Sequence, residues 1–318
     1  MSKIIERIER KVGIPGLVSL LAERIEPTDL QSVLLEVYRQ LARQRRPSDV
    51  LSDYETNRFV RPAAIPPSRL HDWERVAFSQ LPSEFQLLAL SPVCPLGTNS
   101  VVATVDQNWA ISTIRNTEVV SDSSNVLALE CALRRRQLLR EQPKSTEQVH
   151  LASSHRLIRG QRYEDASLST HFSALTLCSA GRDQGSRQFE LESLLLHIRF
   201  YLRSLRAFLG SRIPLRLSVS DFAPQDHRSV ITSRLIDPIK DALGGIDCDF
   251  DSQRTSGRGY YLDLCFHIDA MAPSSRWLEL VDGGSVDWTQ KLLSNSKERL
   301  VISGIGSERV CTEFTNMC

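Results

Sequence analysis

The stretch Ile302-Ser303-Gly304-Ile305-Gly306-Ser307-Glu308-Arg309-Val310 decides how the rest of the chain is read. Two glycines spaced by one apolar residue precede a Glu-Arg pair, where a strand is expected to hand over to a helix. Glycine at such a place lets the backbone approach a flat ligand closely. The arginine then stands where a planar, permanently charged fork can meet phosphate. Short glycine motifs are common, so the stretch gains its weight from three segments upstream that fall in order with it.

Length and composition set the frame for those segments. The chain has 318 residues, enough for one large or two medium domains with a buried core. Apolar residues make up 41% and charged residues 24%, the balance of an ordinary globular protein. Lys plus Arg total 39 against 38 Asp plus Glu. This near-neutrality gives no overall pull toward DNA, RNA or anionic lipid. No apolar run approaches the roughly 18 residues of a membrane span. The charged start, Met1-Ser2-Lys3-Ile4-Ile5-Glu6-Arg7, lacks a signal-peptide core. A cytoplasmic location is the expectation, with neither DNA nor membrane as partner. The seven cysteines, at 94, 131, 178, 248, 265, 311 and 318, form no CxxC pair and no Cys/His cluster, and read as reduced thiols, mostly in the core.

Periodicity divides the chain. Residues 1–60 read as a small helical module: Ile4, Ile5, Ile8 and Val12 recur at helical spacing, then Leu17, Leu20, Leu21 and Ile25, then Leu30, Val33, Leu34, Val37 and Leu41. It reads either as a packed extension or as a docking surface for a protein partner. Three prolines between 62 and 67 mark a linker. From residue 65 to 318 strands and helices mix without βαβ repetition. Helices are expected through Leu70, Trp73 and Val76 and over 124–142, 188–209, 229–243 and 288–293. Strands are expected over 85–90, 100–105, 109–114, 149–159, 171–180, 214–219, 246–251, 259–268, 277–282 and 299–305. The pattern implies an α+β domain on a largely antiparallel sheet. Arg134-Arg135-Arg136 reads as a solvated helix face, Asp282-Gly283-Gly284 either as a motif or as a plain turn. His155, His171 and His197 read as hydrogen-bonded structural residues.

The segments that accompany the opening stretch are three. The first is Thr117-Glu118-Val119-Val120-Ser121-Asp122-Ser123-Ser124-Asn125. The second runs His155-Arg156-Leu157-Ile158-Arg159-Gly160-Gln161-Arg162-Tyr163-Glu164 and resumes, after a polar loop, at His171-Phe172. The third is Gly257-Arg258-Gly259-Tyr260-Tyr261, leading to Asp282-Gly283-Gly284-Ser285-Val286-Asp287. In this order they resemble the catalytic core of class II aminoacyl-tRNA synthetases, in the histidyl-tRNA synthetase-like branch. The second segment resembles motif 2, the third the branch's Arg-Gly-Leu-Asp-Tyr-Tyr and Gly-Gly-Arg-Tyr-Asp pieces, and 304–309 motif 3.

The resemblance implies an antiparallel sheet flanked by helices, a homodimer, ATP with Mg²⁺, and a small carboxylate or amino acid activated as an adenylate. Because two anions must meet at phosphorus, cations have to neutralise charge on both sides of it. By position these are Arg159 and Arg309, the implied catalytic arginines. Gly304, Gly306 and Glu308 join them around the nucleotide. Asp122, Gln161, Phe172, Thr176 and Tyr261 fall at the substrate positions, and Glu279 and Asp282 are the candidate Mg²⁺ ligands. Departures are equally informative. Gln161 replaces the motif 2 glutamate, Phe172 and Thr176 stand where the branch binds histidine with Gln and Glu, and Ser256 replaces its arginine. Arg254 or Arg258 substitutes only by a shift of register. Cys318 follows Arg309 closely, which implies a core without an anticodon-binding domain. Two readings follow from the resemblance: an ATP-binding adenylate-forming paralogue, or a non-catalytic ligand sensor like the regulatory subunit of ATP phosphoribosyltransferase.

Overall fold

A computed structural model describes residues 3–161 and 170–314. Four helices come first: α1 (Lys3–Val12), α2 (Leu17–Glu23), α3 (Pro27–Arg43) and α4 (Pro47–Thr56). Prolines open α3 and α4, where a missing N–H costs nothing. None of the four buries a residue. The next helix, α5 (Pro67–Ser79), does: Trp73 is fully buried and its Nε1 donates to Ser307 Oγ at 3.0 Å.

After β1 (Phe85–Leu87) come β2 (Val93–Pro95) and β3 (Thr117–Val119), which pair with each other. The strand expected over 100–105 is replaced by a π-helical turn, Thr98–Val102, and that over 109–114 by the end of a 3-10 turn, Gln107–Trp109, and irregular chain with one isolated bridge, Ser112 to Glu118. The physical reason is Glu118. Its buried carboxylate accepts from Gly97 N, Asn99 N, Asn99 Nδ2 and Gln107 Nε2, which winds the intervening chain around it. Burial alone would raise this carboxyl's pKa; the donated hydrogen bonds from Gln107, Asn99 and Gly97 outweigh that and lower it.

The helix α6 (Ser123–Glu141) starts at Asp122, whose side chain accepts from Ser124 N at 2.9 Å, the usual N-cap. Strands β4 (Val149–Ile158) and β5 (His171–Arg182), helix α7 (Gln188–Leu209) and strand β6 (Leu215–Asp221) follow. The helix expected over 229–243 is segmented into α8 (Arg228–Ile231), a π-helical turn and α9 (Asp237–Ala242). Then come β7 (Ile246–Phe250), β8 (Leu264–Met271), β9 (Trp277–Val286), α10 (Trp288–Leu293), β10 (Glu298–Gly306) and α11 (Ser307–Glu313).

The large strands form one sheet in the order β1-β4-β5-β10-β9-β8-β6-β7. The outer pairs β1–β4 and β6–β7 are parallel and every inner pairing is antiparallel. One sheet face packs against α5, α7, α8, α9 and α11 through Trp73, Phe189, Tyr201, Phe266 and Phe314. The opposite face packs against α6 and α10 through Leu127, Cys131 and Trp288. Since α6 begins only at Ser123, the ends of β5 and β10 beyond it are left uncovered, and the site opens there.

One open reading is decided and one expectation is corrected. Asp282-Gly283-Gly284 lies within β9, so the plain turn is excluded. A Cβ on Gly283 would lie 2.5 Å from Ser303 Cβ, and one on Gly284 2.7 Å from Tyr261 Cδ1, so the pair permits close strand packing. Arg135 is not solvated but wholly buried. It pairs with equally buried Glu298 through Nε at 2.8 Å and Nη2 at 3.0 Å and donates to the carbonyls of Ser145 and Glu147. The helix face that looked uniformly basic therefore carries its middle arginine inward to the foot of β10. The six described cysteines are free and buried. Among the described residues no helix is long and apolar enough to cross a membrane.

Candidate functional site

The floor of the site follows from strand register. Thr176 of β5, Gly304 of β10 and Asp282 of β9 lie side by side in one row, and Ala174 and Gly306 in the next but one. Alternation along a strand puts these side chains on the same face. They line a cavity of about 450 Å³ together with Asp122, Arg159, Gln161, Phe172, Tyr260, Tyr261 and Glu279, among others. Neither floor glycine has a positive φ. A Cβ on Gly304 would meet only Thr176 Oγ1 at 3.7 Å and Leu175 O at 3.9 Å, ordinary contacts. Neither backbone conformation nor packing within the protein requires glycine there, and the cavity lies above it.

One wall is built around Arg159, just beyond the end of β4. Its Nε donates to Ser121 O at 3.1 Å, its Nη2 lies 3.4 Å from Asp122 Oδ2, and its guanidinium sits 5.1 Å from the centre of the Phe172 ring. Asp122 thus serves two groups, the start of α6 and the arginine. Behind it Asn125 Nδ2 donates to Asn99 Oδ1 at 2.7 Å, which joins this wall to the Glu118 cluster. Gly160 seats the corner: its N–H donates to Trp109 O at 2.6 Å, and a Cβ there would lie 2.9 Å from the same oxygen. Gln161 lines the cavity beside it. Arg162, Tyr163 and Glu164 lie outside the described residues.

The other wall is acidic. A β-bulge between β8 and β9 pairs Ile268 with Val281 but Asp269 with Glu279. Leu280 and Val281 both turn into the core, and Glu279 and Asp282, three apart, come to the same face. Asp282 is engaged on both oxygens, by Arg254 Nη2 at 2.8 Å and by Tyr261 Oη at 3.0 Å. Arg254, 4% exposed at its side chain, also donates to Ser256 O and meets His267 Nδ1. It stands two positions upstream of Ser256, the position at which the resemblance expects an arginine. Burial disfavours its charge, but the adjoining Asp282 carboxylate more than compensates and raises its pKa. Burial, then the nearby Asp282 charge, likewise raise Glu279 and Tyr261. Glu279 remains open to solvent at the rim and makes no hydrogen bond or ion pair among the described residues.

The residues of motif 3 divide. Gly304 and Gly306 form the floor. Glu308 is buried and takes Arg156, away from the cavity. Arg309, in the first turn of α11, places its Cβ 3.6 Å from where a Cβ on Gly306 would stand, but it is not among the residues that line the cavity. Its charge is felt by Glu279. Thr176 is already bonded to Ser123, Oγ1 to Oγ at 2.6 Å. Sequence reasoning did not single out Tyr260, Trp109 or Asn125 as site residues, and admitted Arg254 only by a shift of register. The Gly-x-Gly around Arg258 signals the last of these, because Gly257 at φ 82° lets Tyr261 and Arg254 pack against its bare Cα.

The fit of Mg²⁺ can be tested on these side chains. No group of three possible metal-ligating residues occurs among the described residues. Asp282 is spent on Arg254 and Tyr261, which leaves Glu279 as the single open carboxylate. That donor set suits an ion which arrives with phosphate oxygens and water rather than one caged by protein.

No family model and no curated protein matches the sequence. Solved structures do match by shape. An ATP phosphoribosyltransferase regulatory subunit/histidyl-tRNA synthetase from Bacillus halodurans is 12% identical, with TM-score 0.58 over 81% of this chain and 82% of that one. Apo histidyl-tRNA synthetase from S. aureus is 13% identical, with TM-score 0.57 over 81% of this chain and 70% of that one. A histidine–tRNA ligase subunit from Alicyclobacillus acidocaldarius is 10% identical, with TM-score 0.58 over 80% and 97%. With its central antiparallel sheet, flanking helices and cavity at the exposed ends of β5 and β10, the chain has the fold of the class II aminoacyl-tRNA synthetase core found in histidyl-tRNA synthetase and its relatives.

Proposed function

We propose that the protein binds ATP with Mg²⁺ in the β5–β10 cavity and activates a small, amine-bearing carboxylate there as an adenylate. The observation that carries this reading is the floor at Gly304, kept bare although nothing in the protein needs it bare, beside Arg159 on the wall and one strand end away from Arg309, which lies in the first turn of the helix after Gly306. A planar base can lie on such a strand, while Arg309 and Arg159 face charge from two sides. The Arg309 guanidinium makes no hydrogen bond or ion pair among the described residues, where only the residue's backbone carbonyl accepts from Thr312 Oγ1, so a phosphate meets it without breaking an internal side-chain contact. Mg²⁺ supplies neutralisation of phosphate charge when bound, and Glu279 is the carboxylate placed to hold it.

Free histidine is not the substrate this site favours. Buried polar groups of a ligand need partners. Phe172 turns its ring to Arg159, Thr176 is bonded to Ser123, and Tyr261 is bonded to Asp282. The imidazole nitrogens would find none of these free.

One observation favours the second reading, a ligand-sensing subunit without catalysis. Arg159 is already satisfied by Ser121, Asp122 and Phe172, as suits a site that never clamps an α-phosphate. Calorimetry with Mg²⁺-ATP followed by pyrophosphate exchange over a panel of amino acids separates the two. Adenylation requires ATP binding that Arg309→Ala weakens about tenfold or more, the value of a charge-assisted contact, together with exchange for one amino acid other than histidine. ATP binding without exchange supports the sensor. No ATP binding to the wild type overturns the nucleotide reading.

A further inference from the structure

Residues 57–61, between α4 and the core, are fastened to both arginine-bearing corners of the site. Arg58 Nη2 donates to Gly160 O at 2.7 Å, and its Nη1 donates to Gln161 O at 3.1 Å and Thr170 Oγ1 at 3.3 Å. Those acceptors bracket the last backbone bond of the β4–β5 hairpin, Arg159 N to Thr170 O at 2.9 Å. Three residues on, Arg61 O accepts from His171 Nε2 at 2.6 Å. The other nitrogen of that ring, Nδ1, accepts from Arg156 at 2.9 Å, and Arg156 reaches Glu308, the neighbour of Arg309. The segment is itself a fixed turn: Asn57 Oδ1 accepts from Phe59 N at 3.0 Å, and Val60 N donates to Asn57 O at 3.2 Å.

We infer that residues 57–61 form a strap that sets the position of the two phosphate-facing arginines, with Arg58 as its positioning residue. Arg58 is not itself a lining residue of the cavity. It acts through Gly160 and Gln161, the residues that follow Arg159. A planar fork reaches three acceptors at once, which a lysine ammonium on its flexible stem does not reproduce. Because α4 ends at Thr56, two residues before Arg58, the helical module is joined to the site by this strap rather than by a free linker.

The affinity readout rests on the ATP reading above; the exchange readout does not. Arg58→Ala and Arg58→Lys are made in the full chain. Mg²⁺-ATP binding is measured by calorimetry, and amide hydrogen exchange is measured without ligand. The expected result for both variants is affinity about tenfold weaker, the equivalent of one charge-assisted hydrogen bond. Faster exchange over 157–161, 171–174 and 307–311 accompanies it, with exchange in α7 unchanged. Weaker binding with wild-type exchange would mean that Arg58 acts by charge alone and overturns the strap. Wild-type affinity in Arg58→Ala overturns it also. If the wild type binds no ATP, the nucleotide reading fails, and exchange alone decides: faster exchange in those segments upholds the strap and unchanged exchange overturns it.

Discussion

Substituting alanine separately at Gly304 and Gly283 distinguishes a glycine kept for a ligand from one kept for packing. The two occupy neighbouring strands, β10 and β9, one register row apart. At Gly304 the new methyl meets nothing closer than 3.7 Å. Glycine in a strand interior is destabilising by roughly 0.5–1 kcal/mol relative to alanine, so Gly304→Ala should hold or raise the melting temperature by about 1–4 °C. At Gly283 the methyl would sit 2.5 Å from Ser303 Cβ, 2.7 Å from Phe266 Cε1 and 2.8 Å from Ile302 O, in the centre of a sheet that cannot open. Overpacking of this kind costs about 1–3 kcal/mol. For binding the order reverses. A flat ring resting on β10 must lift off the Gly304→Ala methyl, and a gap of about 0.5–1 Å forfeits a quarter to a half of each dispersion contact. Affinity for Mg²⁺-ATP should fall about tenfold or more, near 1.4 kcal/mol. Thermal melts and calorimetry on both variants make the assay. The reasoning is refuted if Gly304→Ala melts lower than Gly283→Ala, or if it keeps stability and wild-type ATP affinity together.

Two further outcomes follow from buried charge. Arg135→Met leaves Glu298 buried without its partner and should cost about 3–5 kcal/mol in denaturant titrations, whereas Arg135→Met combined with Glu298→Leu should recover most of that loss. His197 is buried between Ser179 Oγ at 2.8 Å and Ser303 Oγ at 2.7 Å, and burial lowers its pKa to about 3. Its unfolded value is near 6.5, so between those limits only the unfolded chain takes up the proton, and stability falls as pH drops below about 6.5. His150, His155 and His267, also lowered by burial, add to the trend. Melts from pH 7 to 5 should therefore show acid weakening before ordinary carboxylates titrate, and His197→Gln should reduce the slope, by at most about 1.4 kcal/mol per pH unit.

Much of this molecule was legible because its signals are local and periodic. Helices over 123–141 and 188–209 and the order of the long strands follow from apolar spacing, and the Gly304–Arg309 stretch marks its own strand-to-helix junction. What stayed hidden depends on contacts between distant segments. Glu118 converts the apparent strand over 100–105 into a turn by collecting donors from Gly97, Asn99 and Gln107, which no propensity anticipates. Arg135 looks like its neighbours in sequence and differs only because Glu298 waits at the foot of β10. Glu279 and Asp282 share a face through a one-residue bulge, which a strict alternation of two would separate. The shift from Ser256 to Arg254 is of the same kind. The guanidinium beside Asp282 comes from Arg254, and the turn at Gly257 brings it there.

The Arg159–Asp122 pair bears on which carboxylate this site would take. At 3.4 Å, with both side chains about a third exposed, the contact is loose. A surface pair of this kind contributes about 0–1 kcal/mol, so a ligand that separates the two charges loses little. A zwitterionic amino acid offers each a partner: its carboxylate meets Arg159 and its ammonium meets Asp122, and both protein charges remain neutralised. A carboxylate without the amine takes Arg159 and strands Asp122 beside Tyr260, where one negative charge stays inside the cavity uncompensated. Asp122 cannot simply turn away, because its other oxygen caps α6 through Ser124. If the site activates a carboxylate, the same geometry that looks like a satisfied resting pair would therefore favour one that carries an amine. In the exchange panel the acid that works should lose activity when its amine is replaced by hydrogen, and a deaminated analogue that exchanges as well as its parent would show that Asp122 stays with Arg159 throughout.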